Sequence, residues 1–178
     1  MRIPSNITWF DENDYIGLEL LFPAGSTWKL ERKFKESEDL YSQQEYDDYE
    51  LILQSRAAFI CSKIAGNGPS TAVIKVHMQA PWWGTAGNTP SIRAEQAISE
   101  TPFRDKSKIE ALSILTEAGC TSTLFLIDSI QQEQTNDKGF IYFIVMEMLP
   151  GVSMSLIFHL IDQEERNVLR EAFKKSWQ

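Results

Sequence analysis

Apolar and polar positions along this chain fall into short runs with two different periods. Residues 56–64 (RAAFICSKI) and 71–78 (TAVIKVHM) are apolar runs on either side of Gly66 to Ser70 (GNGPS), and together they predict a β-hairpin. Residues 15–22 (YIGLELLF) alternate weakly and predict a strand broken at Pro23 and Gly25. Residues 81–90 (PWWGTAGNTP) predict a loop. From 105 to 119 (DKSKIEALSILTEAG) the period changes: Ile109, Leu112 and Leu115 recur at helical spacing, and Gly119 suits the helix end. Two more strands follow at 123–130 (TLFLIDSI) and 139–149 (GFIYFIVMEML), with a polar turn between them. Beyond Gly151 the pattern is helical again. Residues 152–160 predict a short helix, and Asp162 with Glu165 predicts a capping box for a last one. Its basic pair, Lys174 and Lys175, sits at the C-terminal end that the helix dipole favours. Hairpins flanking one helix predict an α+β domain with an antiparallel sheet.

Composition narrows the function. The chain has 178 residues, 43% of them hydrophobic, enough for a core of its own. The formal net charge of −8 argues against a nucleic-acid partner, whose phosphates require clustered Lys and Arg. Residues 36–50 hold seven acids and no Lys or Arg, which fits a solvated loop or helix face, or a docking surface for a basic protein partner. Cys61 and Cys120 stand far apart with no CxxC, against a zinc site or a disulfide scaffold. The first residues show no apolar leader, and the longest apolar run, 140–146, is too short to cross a bilayer. An intracellular protein with no membrane partner is expected.

Three positions carry candidate chemistry. Lys75 lies inside an apolar, β-branched strand, where an unpaired ammonium is costly. It either meets an anion or points from the solvent face of an alternating strand. Glu110 sits beside the apolar stripe of the following helix and is placed to pair with Lys75, or it is a solvated flank residue; Glu95 competes for the same role. The third is VMEMLPG (145–151), where an apolar strand meets a carboxylate and stops at Pro150 and Gly151. It is either a core strand ending at a turn or a strand exit whose main-chain groups read the edge of a flat base.

In this order, AVIK, KIEALSIL and YFIVMEMLPG, the three stretches resemble the N-terminal lobe of the protein kinase-like superfamily, which includes protein kinases and aminoglycoside and choline phosphotransferases. The resemblance covers roughly residues 56–178. It implies that Lys75 holds nucleotide phosphates and that Glu110 is its partner. Met146 takes the gatekeeper position, and the Glu147 carbonyl and Leu149 N–H pair with adenine. ATP is then the implied ligand. The implied organisation is an N-terminal extension with the acidic segment (1–55), an N-lobe with one regulatory-type helix (56–149), and a hinge exit with the first helices of a truncated C-lobe (150–178).

The chain departs from that family in ways that bear on catalysis. It contains no G-x-G-x-x-G, no H-R-D-type loop and no D-F-G, so no catalytic base and no magnesium ligand are assigned. The expectation is a non-catalytic module that binds a nucleotide, or a protein partner through 152–178 or 36–50. Residues 156–161 (LIFHLI) are its candidate apolar patch. The alternative is the N-terminal part of an active phosphotransferase whose C-lobe is supplied elsewhere.

Overall fold

The computed structural model describes residues 8–39, 41, 44–45, 48, 52–82, 84–99, 103–135, 138–149 and 160–176. The described residues form six strands, β1 (Glu19–Leu21), β2 (Thr27–Asp39), β3 (Gln54–Ala65), β4 (Thr71–Gln79), β5 (Leu126–Glu133) and β6 (Phe140–Glu147). They also form four helices, α1 (Glu12–Tyr15), α2 (Pro90–Ala94), α3 (Phe103–Glu117) and α4 (Gln163–Ser176). The architecture is mixed α/β: one antiparallel sheet, in the order β1-β2-β3-β4-β6-β5. No helix among the described residues is long and apolar enough to cross a membrane.

The sheet buries one face. Trp28 and Leu30 of β2, Phe59 and Cys61 of β3, Ile74 and Val76 of β4, and Phe143 and Val145 of β6 are all buried there. Phe10 and Phe22 cover them, with Trp9, Tyr15 and Leu18 packed alongside. The Phe10 and Tyr15 rings meet edge to face at 5.1 Å, and Tyr15 stacks on Phe59 at 5.7 Å. Trp28 is fully buried, its Nε1 donates to Ser26 Oγ at 3.0 Å, and the Lys63 ammonium lies 5.0 Å from its ring centroid.

Irregular register curls the sheet around this core. The β2–β3 ladder shifts at Thr27/Trp28, Leu30/Arg32 and Lys33/Lys35, and the β5–β6 ladder at Leu126/Asp128. Such bulges bend a strand and increase its twist. As a result the β1–β2 turn reaches the opposite edge of the sheet, where the Ala24 N–H donates to Asp128 Oδ2 at 2.9 Å. The hairpin turn after β3 packs against the β1–β2 turn. Gly66 has φ +98°, and a Cβ on it would lie 2.9 Å from Ser26 Cα, so only glycine fits.

The predicted strands at 56–64, 71–78, 123–130 and 139–149 correspond to β3 to β6, with β5 displaced toward its C-terminal side. The helix at 105–119 is α3, and its end is a Schellman motif. Cys120 N–H donates to Leu115 O at 2.9 Å and Gly119 N–H to Thr116 O at 3.0 Å. The capping box is formed reciprocally, Glu165 N–H to Asp162 Oδ1 at 2.8 Å and Asp162 N–H to Glu165 Oε2 at 3.0 Å. The helix expected at 152–160 lies outside the described residues except for Leu160.

The main departure from the sequence pattern is β2. Residues 36–39 continue this strand rather than opening an acidic loop, and β2 pairs along its length with β3. β1 and β2 therefore belong to the same sheet as β3 to β6. The acids of 36–39 also have internal partners. Glu36 accepts from the Trp9 N–H at 2.8 Å and pairs with Lys33 at 2.7 Å. Glu38 accepts from Trp9 Nε1 at 2.6 Å, and Asp39 pairs with Arg56.

Trp28→Ala removes the largest fully buried side chain and is expected to cost about 3–5 kcal/mol. Ile114→Ala, on the exposed side of α3, is expected to stay within about 0.5 kcal/mol of the parent. Urea denaturation midpoints of the two variants check both.

Candidate functional site

Alternation along β4 builds the site. Ile74 and Val76 enter the core, so Lys75 and His77 project from the other face. Cross-strand register sets their neighbours. Lys75 stands between Ala58 of β3 and Ile144 of β6, and Lys35 of β2 is opposite Ala58. His77 stands between Arg56 and Tyr142. Helix α3 crosses this face, and between it and the sheet lies a cleft of about 370 Å3 lined by Lys35, Lys75, His77, Asp105, Lys108 and Met146, among others.

Both ends of α3 are tied to the sheet. Near its start Asp105, only 4% exposed, has Oδ1 at 3.4 Å from His77 Nδ1 and at 3.3 Å from Lys108 Nζ. Near its end Thr116 Oγ1 accepts from the Leu126 N–H at 2.9 Å. Burial alone would raise the Asp105 pKa. The neighbouring His77 and Gln54 side chains and the Lys108 charge outweigh it and hold this carboxyl well below the ordinary range. The His77 contact is a close polar approach rather than an aligned hydrogen bond. His77 Nδ1, Asp105 Oδ2 and Arg56 Nε are buried and make no hydrogen bond within the protein. All three residues line the cleft, so polar atoms converge there with bonding capacity to spare.

Lys75 reaches solvent through the cleft mouth, yet its pKa is lowered, first by partial burial and then by the charges of Lys108 and Lys35. Its protonated form is thus disfavoured in the folded state, a penalty present at neutral pH and relieved as pH rises into the lysine range. An anion in the cleft would relieve it as well.

The residues singled out by sequence divide into two groups. Lys75 and Met146 line the same cleft, with Met146 buried at its wall. Lys75 and Glu110 are not brought together. Glu110 is exposed, does not line the cleft and forms no ion pair with Lys75. The reason is helical phase: Asp105, Lys108, Ile109 and Leu112 share the cleft side of α3, and Glu110 is turned about 100° from Ile109. Glu95 is exposed just after α2 and does not line the cleft either. Glu147 ends β6, and its side chain has a structural task, Oε1 accepting from the Phe125 N–H at 2.8 Å. Leu149 follows, 59% exposed, where the chain leaves the sheet.

Lys35, His77, Asp105 and Lys108 were not singled out by sequence. One signal points to His77, which shares the Lys75 face two residues along the same strand. Among the described residues no group of three or more His, Cys, Asp or Glu side chains is arranged to hold a metal ion. Cys61 and Cys120 are both free thiols, and burial pushes Cys61 up to about 12.

Fold and site together define a mixed α/β protein whose curled antiparallel sheet carries a lysine-rich cleft under one helix. Comparison of the chain with protein-family models and with curated proteins finds no match in either.

Asp105→Asn keeps the shape of the side chain and removes its charge. It is expected to lower stability at neutral pH by about 1.5–3 kcal/mol, the range for a hydrogen-bonded charge. Because the Asp105 pKa is depressed in the fold, the deficit is present above the ordinary carboxylate pKa near 3.9 and disappears as pH falls through the depressed value. Denaturation midpoints of parent and variant across the acid range measure it. A deficit that does not change with pH would mean the carboxylate charge contributes nothing.

Proposed function

We propose that this chain is a kinase-like N-lobe module that holds an ATP-type nucleotide in the cleft between α3 and the sheet, and that it acts by binding rather than by catalysis. One observation carries the reading. The strand bearing Lys75 and the strand that leaves the sheet at 147–149 are hydrogen-bonded neighbours, with Lys75 opposite Ile144. This sets Lys75, which the resemblance gives to the phosphates, on the same cleft wall as Met146 and beside the strand whose exit the resemblance gives to the base. The order of β4, α3, β5 and β6 along the chain also agrees with the resemblance of the AVIK, KIEALSIL and YFIVMEMLPG stretches.

In this reading Lys75 takes the phosphates, Met146 limits the depth of the base slot, and the main chain at Glu147 and Leu149 reads the adenine edge. The Lys75 charge is available to the ligand rather than spent on Glu110. H-R-D and D-F-G do not occur in the sequence, so the proposal gives no residue a role in phosphate transfer. The phosphotransferase alternative has one observation in its favour: α4 and the residues before it expose Leu160 (82%) and Val168 (65%), apolar surface suited to packing against a further lobe.

Isothermal titration with ATP, run beside a phosphate-transfer assay, tests the proposal. Saturable binding without turnover is expected, weakened about tenfold or more by Lys75→Ala, as for a charge-assisted contact of about 1.5–3 kcal/mol. Turnover that disappears in Lys75→Ala would replace the binding module with an enzyme. No ATP binding in the parent protein would end the binding-module reading.

A further inference from the structure

We propose that the cleft binds its phosphate chain without a divalent metal, Lys35 and Lys108 joining Lys75 as a three-ammonium clamp for a polyphosphate. The inference deepens the nucleotide reading of the same cleft and rests on it for the ligand class, but its charge argument comes from different residues.

Charge matching decides the point. Among the described residues, Lys35, Lys75 and Lys108 line the cleft against a single carboxylate, Asp105. Arg56 lines it too, but its charge is already matched by Asp39. A divalent cation needs oxygen ligands with charge to spare. The Asp105 carboxylate has Oδ1 shared between His77 and Lys108, which leaves Oδ2 alone, too few oxygens for a divalent cation. Three ammonium groups around one carboxylate repel a metal ion and attract a phosphate chain.

The geometry suits a chain rather than one phosphate. Lys35 and Lys75 lie on one face in the same cross-strand row, two strands apart, which separates their backbones by about 10 Å. Lys108 approaches from α3, held at 3.3 Å from Asp105. That the charges sense one another is visible in Lys75, whose pKa is lowered by Lys108 and Lys35 after burial. Independent of charge, the buried Arg56 Nε makes no hydrogen bond within the protein and belongs to a residue lining the same cleft. It is a donor available to a bound oxygen. A protein of net charge −8 that collects lysines in one cleft has a local exception to its own charge balance.

The test is titration of the full chain with inorganic triphosphate, in EDTA and in excess Mg2+, with ATP and adenosine as parallel ligands. Triphosphate is expected to bind saturably in EDTA, more tightly than with Mg2+, and less tightly as salt rises. Lys35→Ala and Lys108→Ala are each expected to weaken it about three- to tenfold. Lys174→Ala, on α4 and not lining the cleft, is expected to leave binding unchanged. Thermal melts of the variants establish that each is folded.

No triphosphate binding in EDTA, a requirement for Mg2+, or indifference to both Lys35→Ala and Lys108→Ala overturns the clamp. If triphosphate binds in EDTA but ATP binds no tighter, the clamp stands and the nucleotide reading fails. If ATP binds only with Mg2+ and both variants bind it normally, the nucleotide reading stands and the clamp fails.

Discussion

The alternation of β4 is the constraint from which the site follows. Packing of Ile74 and Val76 into the core fixes the strand's register and leaves Lys75 and His77 no choice but the opposite face. A slip of one residue would put an ammonium and an imidazole among Trp28, Phe59 and Val145. Core packing, itself indifferent to function, thereby holds the cleft lysine in place. The pairing with β6 extends the constraint, because burial of Phe143 and Val145 sends Tyr142, Ile144 and Met146 to the cleft side.

On that cleft side, helix α3 provides the other wall. Its hold on the sheet is polar at both ends, through Asp105 at the start and Thr116 near the end. Ile109 and Leu112 are half-buried, so the helix rests on the sheet without sinking into it. This leaves room for the cleft. It also makes Asp105 the residue that gathers charge: it neutralises part of the lysine field while anchoring the helix that carries Lys108.

Much of this was legible in the sequence, and the parts that were not have physical causes. The hairpin around Gly66, the end of α3 at Gly119 and the Asp162 capping box are local signals, each fixed by a few neighbouring residues. Strand β2 was not legible. Its bulges break the alternation after Leu30, and from Glu31 onward its residues are exposed or half-buried, so TWKLERKFKESED shows no clean period of two. Lys75 and Met146 were legible because they stand in apolar strands with clear faces. Glu110 stands on one flank of the apolar stripe, whereas the flank with Asp105 and Lys108 is the one turned to the cleft. Sequence periodicity identifies the stripe, but only tertiary packing says which flank is turned inward.

The attachment of Trp9 to Glu36 and Glu38 has a different character from the rest of the fold. Backbone ladders join the strands, whereas residues 9 and 10 are fastened by carboxylates more than two dozen positions further on. A fastening made of side chains can release without unzipping any strand pair. The leading segment is thus joined to the sheet by side chains and by the buried Phe10 ring, and its release would uncover Phe59 while leaving the six strands paired.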